Sequence, residues 1–186
     1  MSLRLSAPPE RARRALEGVH ISQMNVRYDS SGDLARPPPK DRNMKHKTIE
    51  EIAKRMAGID IAILSTHTDA GQIANRPMSN NGDVQFDGTS YYFTFKQART
   101  VADIEANPKV ALGFAGAGGI FSDAIYVAVE GNAELIRDKA EFRKHWTSDL
   151  DRWFEKGADT PNIVLIKVMA ARITYWDGED EGEAKV

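Results

Sequence analysis

Residues 87–114 read DGTSYYFTFKQARTVADIEANPKVALGF and carry the clearest structural signal in the chain. Ser90–Thr94 is rich in residues that favour strands, and Asp87-Gly88 before it is typical of a tight hairpin turn. A short helix over Ala98–Ala106 is predicted to end at Asn107-Pro108, because proline cannot continue a helix. Lys109–Phe114 then returns as a strand. The pattern therefore predicts two strands joined by a short helix.

Strands and short helices flank this segment on both sides. Upstream, Thr48 and Glu51 have the spacing of a capping box at the start of a helix. Downstream, Asp138 starts a further short helix. Tight turns between several of the strands suit antiparallel pairing, which predicts a mainly β (α+β) domain, a small antiparallel barrel with short peripheral helices. The further predicted strands are Ile61–Thr66, Gln72–Ser79, Val84–Phe86, Ala124–Asn132, Ile163–Val168 and Arg172–Trp176.

Composition narrows the class of protein. The chain has 186 residues, a net charge of −2 and no cysteine. Without a basic excess we expect no nucleic-acid partner, and no apolar run reaches the ~18 residues of a membrane helix, so we expect no membrane partner. The lack of cysteine fits a cytoplasmic protein. Proline-rich and polar stretches within residues 1–44 predict that this segment is a partly ordered or arm-like N-terminal extension. Residues 45–186 are predicted to form the domain proper.

Standard catalytic sets are missing from the sequence. The four histidines lack metal-ligand spacing, so no metal site is predicted, and no Gly-x-Ser-x-Gly motif marks a serine hydrolase. Arg76 and the pair Arg99-Thr100 are more informative. Arginine and a hydroxyl at a helix N-terminus suit a dianionic phosphate, because backbone N–H groups and the helix dipole add to the charge. Spacing alone leaves open that both arginines lie on solvated faces and that Thr100 merely caps the helix.

An ordered set of motifs resembles a known family. The set consists of Arg76-Pro77-Met78-Ser79, Tyr92-Phe93-Thr94, Arg99 to Leu112, Trp153 to Pro161 and Tyr175-Trp176-Asp177. From about Met44 to Trp176 the chain resembles the general stress protein branch of the pyridoxamine 5′-phosphate oxidase-like proteins. The resemblance implies an antiparallel split β-barrel with short peripheral helices, in which residues 45–186 bind FMN.

The resemblance also implies a binding site. Arg76, Arg99 and Thr100 would bind the FMN phosphate, with Phe93 and Thr94 beside them. Pro77, Met78 and Ser79 would run past the isoalloxazine ring and offer it backbone groups. The family commonly has a lysine where this chain has Thr100, and Lys96 is the residue expected to compensate. Members are usually homodimers with composite flavin sites, and Trp153 or Trp146 of the second subunit would help to enclose the ring.

Two functions follow from the resemblance. The first is a stress-related redox flavoprotein without true pyridoxamine 5′-phosphate oxidase activity. Residues 177–183 are strongly acidic, and they would repel a phosphorylated substrate or form a solvated, frayed tail. The alternative is a non-catalytic flavin carrier, buffer or sensor. A deazaflavin or haem in place of FMN is a third possibility, although no well-placed histidine supports haem.

Overall fold

The computed structural model of the protein describes residues 46–80, 86–117, 124–178 and 180–186. The predicted extension over residues 1–44 lies outside the described residues. Helix α1 (Ile49–Met56) begins at the predicted capping box. The Thr48 hydroxyl accepts a hydrogen bond from the Glu51 N–H at 3.2 Å, and the Glu51 carboxylate accepts one from the Thr48 N–H at 2.7 Å. No helix in the described ranges is both long enough and apolar enough to span a membrane.

A single antiparallel sheet follows α1, with its strands in the order β2-β1-β4-β5-β6-β3 and with β7 also paired to β6. The mainly β, antiparallel prediction is confirmed. The strands are β1 (Ile61–His67), β2 (Ile73–Ser79), β3 (Thr89–Phe95), β4 (Lys109–Gly116), β5 (Ile125–Ile136), β6 (Ile163–Asp177) and β7 (Asp180–Ala184). The helices are α2 (Arg99–Ala106), α3 (Lys139–Lys144) and short 3-10 turns at Ser148–Arg152 and Gly157–Asp159.

The main core lies on one face of the sheet. Alternate residues of β1 are buried, and the register places them opposite buried residues of β4, which in turn face β5 and β6. Helix α1 adds Ile52 and Met56 to the same core, and burial there raises the pKa of the Tyr92 hydroxyl above its usual value. The inward-facing set includes Ala62, Leu64, Leu112, Phe114, Val127, Val129, Ile173 and Tyr175.

A second, smaller core lies around the end of β3. Phe93 makes edge contacts with Phe142 of α3 and with Trp146, at ring-centroid distances of 5.7 and 4.9 Å. Trp146 also donates from its indole N–H to Asp151 at 2.9 Å. This cluster gives α3 and the following 3-10 turns an apolar surface to pack on. Its buried members are Phe93, Phe142, Leu150, Phe154, Ile163 and Leu165.

Pairing between distant strands differs from the sequence-based expectation. Strand β3 pairs with β6 rather than forming a hairpin with a preceding strand across Asp87-Gly88. Part of the predicted strand Val84–Phe86 lies outside the described residues, and Phe86 is not in a strand. The two strands predicted between Ile163 and Trp176 are one continuous strand. Turn chemistry and apolar runs report local geometry, and they do not say which distant strand supplies the hydrogen bonds.

The acidic C-terminal segment is a strand, so its prediction as a frayed tail is wrong. Residues Asp180–Ala184 form β7 and pair with the second half of β6. Arg172 forms an ion pair with Glu183, and Lys47 forms one with Asp180 at 3.6 Å. The Arg172 guanidinium lowers the pKa of the Glu183 carboxyl. Backbone pairing together with these opposite charges offsets the repulsion between neighbouring carboxylates.

The bulge where β5 and β6 shift register gives a stability prediction. A Cβ added at Gly131 would stand 2.2 Å from the Met169 carbonyl oxygen, whereas one added at Gly113 meets nothing within 4 Å. Gly131→Ala should therefore lower the free energy of unfolding by about 1–3 kcal/mol, while Gly113→Ala should change it by less than about 0.5 kcal/mol. Thermal and denaturant unfolding measure both. Equal effects of the two substitutions would contradict this account of the bulge.

Candidate functional site

Three polar side chains form a closed network where β1, β2 and α2 meet. The Arg76 Nη1 donates to the Thr66 hydroxyl at 2.7 Å, and Nη2 donates to the Asp103 Oδ2 at 3.0 Å. The Thr66 hydroxyl donates its own proton to the same Asp103 oxygen at 2.7 Å. Asp103 is 4% exposed, and the Arg76 side chain 19%. The network connects two neighbouring strands to the helix that follows β3.

The sequence places Asp103 on the buried side of α2. Thr100, Val101 and Ile104 share this side of the helix and are buried with it. Helical spacing of three and four residues puts Thr100, Asp103 and Ile104 on one face. A buried carboxylate is costly unless it is paired and hydrogen-bonded, and here Arg76 and Thr66 meet both needs. Arg76 therefore does not lie on a solvated face, which settles one alternative that spacing alone left open.

The second predicted arginine reaches the same carboxylate from the solvent side. The Arg99 Nε lies 3.8 Å from the Asp103 Oδ1, and Nη2 lies 3.4 Å from the Asp69 Oδ1. Arg99 is 68% exposed and Asp69 is 88% exposed, so this outer contact is loose and screened by water. The structure thus brings Arg76 and Arg99 to opposite sides of Asp103.

The N-terminus of α2 has the features of an anion-binding helix end. Ala98 occupies the N-cap position without a side-chain hydrogen bond, and the first turn carries no acidic residue. The interpretation of Thr100 as a cap is wrong, because its side chain is buried inside the first turn. Backbone N–H groups and the helix dipole favour an anion at such an end. Lys96, in the turn just before the helix, is exposed, and its backbone N–H donates to the Asn162 carbonyl at 2.7 Å.

Strand β2 carries the residues predicted to face a flavin ring. Within the described sheet β2 pairs with β1 alone, so it is an edge strand with backbone groups turned away from the sheet. Pro77 is exposed and lies opposite Ile63, and Ser79 lies opposite Ile61. Met78 packs against the main core. An edge strand of this kind has backbone hydrogen-bonding groups to offer a planar polar ligand.

The aromatic candidates separate by burial. Phe93 is buried in the second core, which leaves its backbone rather than its ring to contact a ligand, and Thr94 beside it is partly exposed. Trp146 is partly buried and packs against the same core. Trp153 is 62% exposed, and its ring lies 5.6 Å from the Arg152 guanidinium carbon. Among the described residues no group of three potential metal ligands comes together.

Sequence reasoning missed Thr66 and Asp103. Asp103 lies four residues after Arg99, a spacing typical of an exposed ion pair on a helix surface. The available signal was the helical wheel, because Asp103 falls in line with Thr100 and Ile104 on the face that is now seen to be buried. Thr66 lies in an apolar strand, where threonine is common, and nothing in the sequence distinguished it.

Comparison with known proteins places the chain in a family. The family model described as "Pyridoxamine 5'-phosphate oxidase like" matches residues 47–186. The chain belongs to this family. General stress protein 26 of Bacillus subtilis (strain 168) is 37% identical over 110 residues, which cover 55% of this chain and 75% of that protein. The resemblance to the general stress protein branch is confirmed.

Solved structures of this pyridoxamine 5′-phosphate oxidase-like group share the fold. The crystal structure of General Stress Protein 26 from Bacillus anthracis str. Sterne has a TM-score of 0.59 and 28% identity, covering 74% of this chain and 98% of its own. The predicted split-barrel fold is therefore confirmed.

Two further proteins with this fold are named for different cofactors. A FAD-binding protein from Mesorhizobium loti has a TM-score of 0.56 and 21% identity, and covers 69% of this chain and 94% of its own. A heme binding protein from Mycobacterium smegmatis has a TM-score of 0.59 and 14% identity, and covers 75% and 59%. At these identities the likeness shows a shared fold alone, and it does not identify a cofactor for this chain.

Proposed function

We propose that this chain is an FMN-binding flavoprotein of the oxidase-like family, a cytoplasmic, stress-related redox protein without true pyridoxamine 5′-phosphate oxidase activity. The observation that carries the proposal is that Arg76 and Arg99 both lie against Asp103 of α2, a helix whose N-terminus has no side-chain cap. Strand β2, which carries Arg76, is an edge of the described sheet, so no further strand of that sheet pairs with its outer side. A cationic end next to an open strand edge suits a ligand with an anionic tail and a planar polar ring.

The phosphate would be held at the N-terminal end of α2. Arg99 faces solvent there, and the first backbone N–H groups of the helix have no side-chain cap. Arg76 supplies further N–H donors from the inner side, because two of the five on its guanidinium bond to Thr66 and Asp103 and no other described residue accepts from the remaining three. Lys96 and the backbone of Phe93 and Thr94 border the same turn. These residues fit an anion, with Arg99 as the most accessible cation.

The ring would lie along β2. Pro77, Met78 and Ser79 contribute backbone groups, and the Pro77 side chain presents an apolar edge. Bound flavin supplies the hydride and electron-transfer chemistry, so the protein needs to bind and orient the ring and to exclude water rather than to provide a catalytic triad.

Removing Arg99 should distinguish the contribution of the phosphate to flavin affinity from that of the ring. Because Arg99 is mostly exposed, we expect Arg99→Ala to weaken FMN binding by roughly three- to tenfold and to leave riboflavin within about twofold. Flavin fluorescence titration at one fixed salt concentration measures both affinities. Arg143→Ala is the matched control, since Arg143 is similarly exposed but pairs with Asp159. An equal loss for FMN and riboflavin would place the phosphate elsewhere.

Absorption spectroscopy, with mass analysis of the released cofactor, distinguishes FMN from other flavins and from haem.

A homodimer with shared flavin sites is part of the proposal. On the face of the sheet opposite the main core, large apolar side chains of β1, β5 and β6 are exposed. Ile61 and Ile63 on β1 lie on this outer face, and Tyr126 pairs with Trp176 further along it. Pro77 lies directly opposite Ile63, so the proposed ring-binding strand borders the same surface. A second copy seated there would cover the apolar face and bring its own residues, with Trp153 as the candidate, close to the ring.

Charge on the outer face should break the dimer. We expect the wild-type protein to sediment as a dimer, and Ile63→Asp to sediment as a monomer because it buries a carboxylate in the interface. Val186→Asp is the control, since Val186 is exposed beyond the last strand. The monomeric variant should bind FMN at least about tenfold more weakly than the control variant does, if the partner completes the site. A monomer that keeps full FMN affinity would refute the shared site.

The physiological reaction separates the redox proposal from its alternative. A non-catalytic carrier, buffer or sensor would bind flavin equally well, so turnover is the discriminating property. Pyridoxamine 5′-phosphate is not the expected substrate, because β7 (Asp180–Ala184) is acidic and has no basic side chain to hold its phosphate.

FMN-saturated protein should therefore produce hydrogen peroxide from pyridoxamine 5′-phosphate and air no faster than free FMN does. Peroxide detection and chromatography of the vitamer measure this, with protein-free FMN as the control. Turnover of about 1 per second or faster, the range of ordinary enzymes, would show that the family's oxidase activity is retained here.

A further inference from the structure

The carboxylate of Asp103 already pairs with Arg76, the partly buried arginine that a ligand phosphate would also contact. Its Oδ2 accepts from Arg76 at 3.0 Å and from Thr66 at 2.7 Å, and its Oδ1 lies 3.8 Å from the Arg99 Nε. Both arginines of the proposed phosphate site therefore flank one internal anion.

The charge balance follows directly. Arg76, Arg99 and Asp103 sum to a formal charge of +1, and Asp69 brings the group to zero while it stays paired with Arg99. A phosphate monoester carries about −1.5 to −2 near neutral pH. A bound phosphate would therefore face a net charge of at most +1, which is half of the charge that the two arginines would supply without Asp103.

Asp103 cannot easily move aside for a ligand. It is 4% exposed on the buried face of α2, between Val101 and Ile104. Separating it from Arg76 would leave an uncompensated carboxylate in an apolar setting, which is strongly unfavourable. A phosphate must therefore add to the existing network and share Arg76 with Asp103, and it cannot replace the carboxylate.

We propose that Asp103 is the specificity-determining residue of this site and that it reduces the preference for a phosphorylated flavin over an unphosphorylated one. This inference rests on the proposed flavin-binding function. The site selects the isoalloxazine ring along β2 and takes riboflavin and FMN with similar affinity.

The experiment compares FMN and riboflavin in wild-type protein and in Asp103→Asn. Asparagine keeps the size of the side chain and an oxygen that can accept from Thr66 and Arg76, and it removes the charge. The ratio of FMN affinity to riboflavin affinity should rise by roughly ten- to a hundredfold, because a unit negative charge beside the phosphate is lost. Riboflavin affinity should stay within about twofold. Fluorescence titration at one near-neutral pH and one fixed salt concentration gives both constants.

Asp69→Asn is the matched control. Asp69 also contacts Arg99 but is 88% exposed, so its charge is screened and the ratio should change by less than about threefold. An equal rise in both variants would overturn the assignment, since any nearby charge would then have the same effect. An unchanged ratio in Asp103→Asn would also overturn it and leave Asp103 with a structural role only.

The wild-type protein provides a test that does not depend on the variant folding. Its affinity for FMN should exceed that for riboflavin by less than about tenfold, and a larger preference would contradict the inference. If wild-type protein binds neither flavin, the proposed function itself fails, and the inference fails with it. Binding of both flavins with a large preference for FMN would leave the proposed function intact and refute only the role of Asp103.

Discussion

Strand β6 is the constraint on which the rest of the fold depends. It pairs with β5 on one side, and on the other side with β3 along its first half and with β7 along its second. Ile163 and Leu165 belong to the smaller core, whereas Ile166, Val168 and Ile173 belong to the main one. Because a single strand serves both cores, the position of β3, and of α2 after it, is coupled to the β5-β4-β1-β2 half of the sheet.

This coupling explains why the candidate site is an ion-pair network. Strands β2 and β3 end the strand order at opposite sides, and α2, which follows β3, contacts β1 next to β2. The contact is made by Asp103 with Thr66 and Arg76. A buried ion pair of this kind adds little net stability. It specifies one arrangement of the strands and the helix, because losing either partner leaves an unpaired buried charge. The same carboxylate then sets the electrostatics that a ligand encounters.

The two faces of the sheet serve different purposes. The inner face packs against α1, and alternate strand residues on it form the main core. The outer face carries Ile61, Ile63, Tyr126 and Trp176 in the open. Covered by a second copy, this face would connect dimerisation to flavin binding, since β2 borders both. Oligomeric state and cofactor affinity would then vary together.

The sequence by itself determined the local features of this protein. The capping box at Thr48 and Glu51 and the end of α2 before Pro108 are set by hydrogen bonds and steric effects between near neighbours. The strand around Tyr92 follows from residue types that favour extended backbone. Only the tertiary structure decided that β3 pairs with β6, that the acidic segment becomes β7 and that Asp103 pairs with Arg76. Arg76 and Asp103 lie 27 residues apart in sequence, and the paired residues of β3 and β6 lie further apart still. A periodic pattern records that a residue is buried, but the group it meets there is chosen by the packing of the whole sheet.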